Sequence, residues 1–422
     1  MANSYQTTDK ILRKALAILH AKLNFIGSIH RDYDPQFASS IGDGGKIGAT
    51  LRIRLPEQYT VTTGATFVPQ AIAQNDVVLT VATQKHVGLK LTSADLALKD
   101  EDFEERHLQP AMSVLATAME ADALSMIGSI YNMNGAGGGG APTTMYAFGQ
   151  MRAMLNKNLA PDAGKRVVLM DSDTSAAMAD GLKALFNDRR ELEHAYLEGY
   201  LTRGQGFTFM ENELLPYIAN GTRSASANVG SPSANVAQGA TSMTVTGFAG
   251  GATINAGEVF TFYPSGGAAS GVLAVHPETK TAYNYLQQFV VTQTVTIGAS
   301  GTLNFAPAVN FNADGYQNVS RQPLTTDYVQ FATGTPPAVG GSGAASGSYQ
   351  QLLAFHKDAF AFVTADLPVF DGQPFMARKT IDKLSMRIWK FVDGVNDMEN
   401  TRIDVLYGYQ TLRPQLACRW TK

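Results

Sequence analysis

The sequence predicts an α+β fold, and three observations carry that prediction. Residues 100–131 have a helical apolar period, residues 46–91 switch to a period of two, and residues 221–350 form a strand-like, charge-poor stretch between mixed segments. In the first, Asp100, Glu101, Asp102, Glu104 and Glu105 precede apolar residues at Leu108, Met112, Leu115, Met119, Met126 and Ile130. Spacings of three, four and seven place these on one helical stripe, with acids at the positive end of the helix dipole. The run Gly135–Gly140 ends the helix and reads as a flexible linker. About 28 residues give a rod of about 42 Å, which Pro110 should kink near its first third.

In chain order, Thr7, Thr8 and Asp9 can cap a helix with an apolar face of Ile11, Leu12, Leu16, Leu19, Leu23 and Ile26. That face packs either on its own domain or on a neighbouring subunit. Between Lys46 and Leu91, Leu51, Ile53 and Leu55 alternate with arginines, and Val77, Leu79, Val81 and Val87, Leu89, Leu91 repeat the pattern. This reads as a long β-hairpin. Two strands are marginal alone in water, so it must lie on something, and the short apolar runs favour another subunit.

Next, Met145–Leu159 is helical, Val167–Met170 is a buried strand, Asp171 or Asp173 caps a helix through Leu182, residues 188–200 are helical, and Phe207–Met210 is a strand. Residues 221–350 hold seven charged residues, whereas the whole chain has 33 basic and 36 acidic ones. Strands are expected there at Ser242–Thr246, Val259–Tyr263, Phe289–Ile297 and Thr302–Phe305. The mixed style resumes with strands Leu352–Phe355 and Ala359–Val363, then a hairpin of Met386–Phe391 and Thr401–Tyr409 around Asp393-Gly394. The β-rich unit therefore interrupts a domain, as insertions at exposed turns do.

With 422 residues the chain can hold two or three cores. A net charge of -3 gives no global attraction to nucleic acid or anionic membrane. The single cysteine, Cys418, excludes an internal disulfide framework and suits a reducing compartment. No run approaches a membrane span, and the short apolar run 15–19 falls short of a secretory core.

Strong catalytic signatures are missing from the sequence. Gly42–Ala49 has a Gly-Lys pair, but Ile47 stands where a phosphate loop needs a hydroxyl. Glu191, Glu193 and His194 read as a solvated helix face, Asp171 and Asp173 as helix caps, and Cys418 as a small buried residue between Leu416 and Trp420 on a strand. The expectation is no catalytic residue, no metal site and no cofactor.

The order of parts, with FEERHLQPAM at Phe103–Met112, GATSMTVTG at Gly239–Gly247, INAGEVFTF at Ile254–Phe262, VHPETK at Val275–Lys280 and LQQFVVT at Leu286–Thr292, resembles the major capsid proteins of tailed bacteriophages. These have the Hong Kong ninety-seven coat fold, and the insertion is similar to the P-twenty-two-like coat proteins of short-tailed phages. The resemblance implies an N-terminal arm (1–45), an extended loop (46–91), a peripheral domain with a spine helix (92–140) and an axial domain (141–220 and 346–375). It also implies an inserted β domain on the outer face (221–345) and C-terminal strands (376–422). Leu108, Met112, Leu115 and Met119 become the core of the spine helix, and Arg52, Arg54, Tyr59, Phe67 and Lys85 become candidates for contact between subunits.

Implied partners are copies of itself in hexamers and pentamers, a scaffolding protein, a portal and, without sequence specificity, packaged double-stranded DNA. There is no membrane partner. Such a protein is assembled in a bacterial cytoplasm and ends in the virion capsid. The charged loops of the best-known relative's insertion are missing here, and no lysine–asparagine cross-link is expected from Lys46, Lys85 or Lys90. Two other readings stand beside this one: an encapsulin-type compartment shell of the same fold, and an α/β hydrolase with a β-rich binding insertion.

Overall fold

The computed structural model describes residues 12–13, 15–19, 23–33, 50–65, 67, 69–70, 75–92, 107–135, 140–162, 164–182, 203–223, 230–264, 271–331, 345–370, 376–394 and 398–422. It is a strand-rich mixture of α and β structure in two compact units. The first comprises Met1–Arg54, Asp76–Leu124 and Phe360–Leu412, and the second Leu55–Asn75, Ser125–Ala359 and Arg413–Lys422. The Thr7–Asp9 cap, Gly42–Ala49, the acidic run Asp100–Glu105 and the segment with Glu191, Glu193 and His194 lie outside the described residues.

The chain opens with α1 (Asn24–Ser28), β1 (Thr50–Arg54), β2 (Asp76–Thr80), β3 (Thr83–Thr92) and α2 (Gln109–Leu124). Then come β4 (Met133–Asn134), α3 (Met145–Lys157), β5 (Arg166–Met170), α4 (Ser172–Leu182), β6 (Arg203–Gly204), β7 (Phe207–Glu211) and β8 (Tyr217–Ala219). The charge-poor stretch supplies β9 (Ser231–Pro232), β10 (Ala240–Thr246), β11 (Ala252–Ile254), β12 (Val259–Pro264) and β13 (Leu273–Val275). It continues through β14 (Ala282–Leu286), β15 (Gln288–Val291), β16 (Val295–Ile297), β17 (Ser300–Val309) and β18 (Asp327–Gln330). Finally come β19 (Ser348–His356), β20 (Phe360–Ala365), β21 (Met376–Ile381), β22 (Leu384–Asp393), β23 (Met398–Thr411) and β24 (Ala417–Thr421).

The first unit is organised by β23, which pairs antiparallel with β3, β22 and β20. Along β3 the half-buried positions are Thr83, Lys85, Val87 and Leu89, while Gln84, His86, Gly88 and Lys90 face solvent, the signature of a one-sided sheet. Helix α2 buries Ala111, Met112, Leu115, Ala116, Met119, Ala123 and Leu124 along one stripe. Its 16 residues span about 24 Å, and the start of the predicted rod lies outside the described residues. Pro110 is the second residue of that α-helical run and follows directly on a wider helical turn at His107 and Leu108. After Leu124 the chain tightens into a narrower helical turn, Ser125–Ser129, and the helix ends before the glycine run. Gly135 is no loose linker: a Cβ there would lie 2.7 Å from the Trp420 ring, and its φ is +84°.

The hairpin β1–β2 corrects another expectation. Its register sets Ile53 opposite Val77 and Leu51 opposite Leu79, and Ile53, Leu79 and Val81 pack on Ala361, Val363 and Leu412 of the same chain. The alternation gives one apolar face, and β20 covers it. The N-terminal face is also covered within its own chain: Leu12, Leu16, Leu19, Leu23 and Ile26 are buried. Phe25 meets Phe360 edge-on with centroids 5.4 Å apart, and the Phe362 N–H donates to the His30 carbonyl at 3.1 Å.

In the second unit a seven-stranded sheet runs β4-β24-β19-β5-β7-β6, with β8 on the other end of β19. Strand β5 is buried at every position and reads as a continuous apolar run, as a central strand should. The chain leaves this sheet after β8 and returns at β19, so the strands between them interrupt it. They form a six-stranded sheet, β18-β12-β15-β17-β10-β9, and the pairs β11–β16 and β13–β14. Their own core includes Phe260, Phe262, Phe289, Phe305, Val245 and Leu303. The predicted strand Phe289–Ile297 is two strands, because β15 pairs in the large sheet while β16 turns away to pair with β11.

Candidate functional site

Beyond β1 and β2 the hairpin opens into a loop, Leu55–Asn75, with no further strand among its described residues. Pro56, directly after Leu55, lacks the N–H a ladder needs, so the first strand can pair no farther. The Leu55 N–H donates to the Asn75 carbonyl at 2.9 Å. Farther out the Gln70 amide stands in for a strand: its Oε1 accepts the Thr60 N–H at 2.9 Å and its Nε2 donates to the Thr60 carbonyl. The Tyr59 hydroxyl donates to Glu57, and that bond to an anion raises the phenol above its ordinary pKa.

The loop presents apolar groups to water: Val61 is 95% exposed, Phe67 86% and Tyr59 56%. At its base Arg52 is exposed and pairs across the strands with Asp76 at 3.2 Å, and Arg54 is also exposed. A second exposed apolar surface lies in the first unit. Phe370, Trp389 and Phe391 form a ridge, with centroids 6.2 Å apart for Phe370–Trp389 and 5.1 Å for Trp389–Phe391. Val369 and Val392 are exposed as well, and the Arg387 guanidinium is 5.7 Å from the Phe370 ring centre.

Lys85 behaves differently from the other candidate contact residues. Its Nζ is 2.7 Å from Asp122 Oδ2 and 3.3 Å from the Ala118 carbonyl, both on α2 of its own chain. The Tyr407 hydroxyl donates to the same carboxylate at 2.5 Å, and burial with that bond pushes the phenol well up. Asp122 thus ties β3 and β23 to the helix. Leu108, Met112, Leu115 and Met119 are all buried.

The candidate chemical groups have structural partners. Asp171 precedes α4; its carbonyl accepts the Ser175 N–H at 3.0 Å, and its carboxylate takes bonds from Thr174 and Lys422. Burial pushes that carboxyl up, but the bonds from Lys422 and Thr174 outweigh it and hold the pKa below the usual carboxylate value. Cys418 is buried on β24, and burial pushes its thiol up to about 12. Among the described residues no group of three or more His, Cys, Asp or Glu side chains is placed to hold a metal ion. No helix among them is long and apolar enough to cross a membrane.

Two ion pairs of the charge-poor stretch were not legible in the sequence. Arg223 and Glu258 form a fully buried ion pair, and Glu258 Oε1 also accepts the Gly221 and Asn255 N–H groups at 2.8 and 2.7 Å. Arg321 holds Asp327 through two bonds of 2.8 Å. The usable signal was scarcity: a charge kept within a charge-poor, strand-rich segment is a candidate for a buried pair.

No family model matches the chain, and no curated protein matches it. It is similar over most of its length to solved structures. One is described as Mycobacterium phage Che8, with a TM-score of 0.48 and 11% identity, covering 93% of this chain and 89% of that one. Another is the capsid structure of cyanophage P-SCSP1u, with a TM-score of 0.40, 13% identity and coverages of 88% and 82%. A third is a virus-like particle from Pyrococcus furiosus, with a TM-score of 0.39, 7% identity and coverages of 98% and 98%.

Proposed function

We propose that this chain is a major capsid protein, which assembles with copies of itself into the icosahedral head of a tailed, short-tailed-type bacteriophage around double-stranded DNA. The observation that carries the reading is the braced loop with Val61, Phe67 and Tyr59 held out in water. Burying one such side chain contributes about 1.5–3 kcal/mol, a gain open only to a partner surface. The aromatic ridge of Phe370, Trp389 and Phe391 is a second, dissimilar apolar surface on the same chain. Two unlike surfaces that meet between copies are heterologous, and heterologous contacts close into rings when the rotation permits.

In this reading the loop tip of one copy seats on the next copy, with Arg52, Arg54, Tyr59 and Phe67 in the contact. Lys85 stays with its own helix. Residues 92–140 form the peripheral part with α2 as the spine, 141–220 and 346–375 the axial part, 221–345 an outer insertion, and 376–422 the closing strands. A scaffolding protein and a portal complete the assembly. The net charge of -3 suits a wall that must not adhere to packaged DNA.

Expression followed by electron microscopy and mass measurement tests the proposal. Closed shells or capsomer rings are expected; a stable monomer at high concentration would overturn it. Phe67→Ser separates assembly from folding, and the expected result is a folded, soluble protein that forms few particles.

A further inference from the structure

We infer that Gly315 is the seat on which the extended loop is set, and that the loop acts in assembly while still resting on it. The inference deepens the capsid reading and depends on it for the word assembly, but the seat itself is a property of the single chain.

The first observation is a close approach of backbone to backbone. A Cβ at Gly315 would lie 2.1 Å from the Gln58 carbonyl oxygen, 2.8 Å from its carbon and 3.3 Å from the Tyr59 nitrogen. Those atoms are main chain and cannot swing aside as a side chain can. Gly315 has no left-handed φ that would demand glycine for its own sake. The approach of the loop is therefore the physical reason for glycine at this position.

The second observation is that the seat is held by hydrogen bonds. Lys280 Nζ donates to the Gly315 carbonyl at 2.5 Å, and Asp314 Oδ1 accepts the Tyr316 N–H at 2.9 Å. Gln238 Oε1 accepts the N–H groups of Phe311 and Asn312 at 2.8 and 3.1 Å, and Asn318 Oδ1 accepts that of Asn310 at 2.9 Å. Together with the Gln70–Thr60 brace, the loop is fixed at its base, along its middle and against the β-rich unit. A segment held as Gln58, Tyr59 and Thr60 are before contact loses less conformational freedom on binding, so such bracing raises affinity without adding any contact.

Two experiments test the seat. Gly315→Val should displace the loop and reduce particle yield at least tenfold, with Gly250→Ala as the matched control, since nothing lies within 4 Å of a Cβ there. The far-ultraviolet spectrum and melting of the unassembled Gly315→Val protein should stay near those of the parent. Equal particle yield would overturn the proposal. Should Gly315→Val fail to fold, a photo-crosslinking phenylalanine analogue at Tyr59 decides the matter in the otherwise intact chain. Crosslinks within one chain to the peptide holding Tyr316 are expected both before and after assembly. Their absence from the unassembled chain, or their loss on assembly, would overturn it. A parent chain that forms no particles but still gives the crosslink would sink the capsid reading and leave the seat standing.

Discussion

Glu120 caps a helix from a distance, accepting a backbone N–H from Phe25, 95 residues before it. Its carboxylate, buried in the apolar stripe of α2, accepts the backbone N–H groups of Phe25 and Ile26 at 2.5 and 3.3 Å. Leu23, at the N-cap of α1, makes no side-chain capping bond, so the acid supplies from a distance what the local sequence lacks. The N-terminal segment is thereby fixed to α2.

Glu120→Ala should destabilise the protein by on the order of 3 kcal/mol, because two buried N–H groups lose their acceptor. Glu120→Gln keeps one acceptor oxygen and should cost less. Urea midpoints at constant slope measure both, and equal losses for the two variants would count against the capping role.

The Arg223–Glu258 pair is fully buried, and the guanidinium also lies 4.5 Å from the centre of the Phe331 ring. Removing one partner leaves an uncompensated charge in the interior, so Arg223→Met should cost about 3–5 kcal/mol. Glu258→Leu should cost at least as much, since it also orphans the Gly221 and Asn255 N–H groups. Thermal melting checks this, and a loss below about 1 kcal/mol for either change would contradict it.

Leu115 and Val114 are adjacent on α2 but lie on different faces, one buried and the other exposed. Leu115→Ala should cost about 2–5 kcal/mol, whereas Val114→Ala should stay within about 0.5 kcal/mol. Leu115→Asp should abolish folding, because it buries a charge in the apolar stripe. Folded, soluble Leu115→Asp protein would refute this account of the stripe.

His356 is buried at the end of β19, its Nε2 has no hydrogen-bond partner among the described residues, and burial lowers its pKa below 6.5 despite the opposing Asp358. Below pH 6.5 the unfolded chain binds a proton that the folded chain refuses. Stability from this group is therefore present above pH 6.5 and is lost as pH falls toward the folded pKa. Melting temperatures at pH 7.5 and 5.5 should show a fall that His356→Gln reduces, and an unchanged fall in that variant would exclude the histidine as its source.

The sequence by itself determined what a local period can encode. The one-sided stripe of Met112, Leu115 and Met119, the hairpin of β22 and β23 around Asp393-Gly394, and strands β10, β12 and β17 of the charge-poor stretch follow from the alternation of apolar and polar groups along a few turns or residues. The tertiary structure alone decided the partners. Glu120 and Lys85 are charged residues that a pattern assigns to water, yet one is buried and the other is half-buried on the inner face of β3 because groups far along the chain meet them. The same holds for β20 covering β1–β2 and for Gln58 passing over Gly315. Periodicity shows which face of an element avoids water, but a bond or a close approach between residues distant in sequence leaves no period, and only the folded chain brings its two halves together.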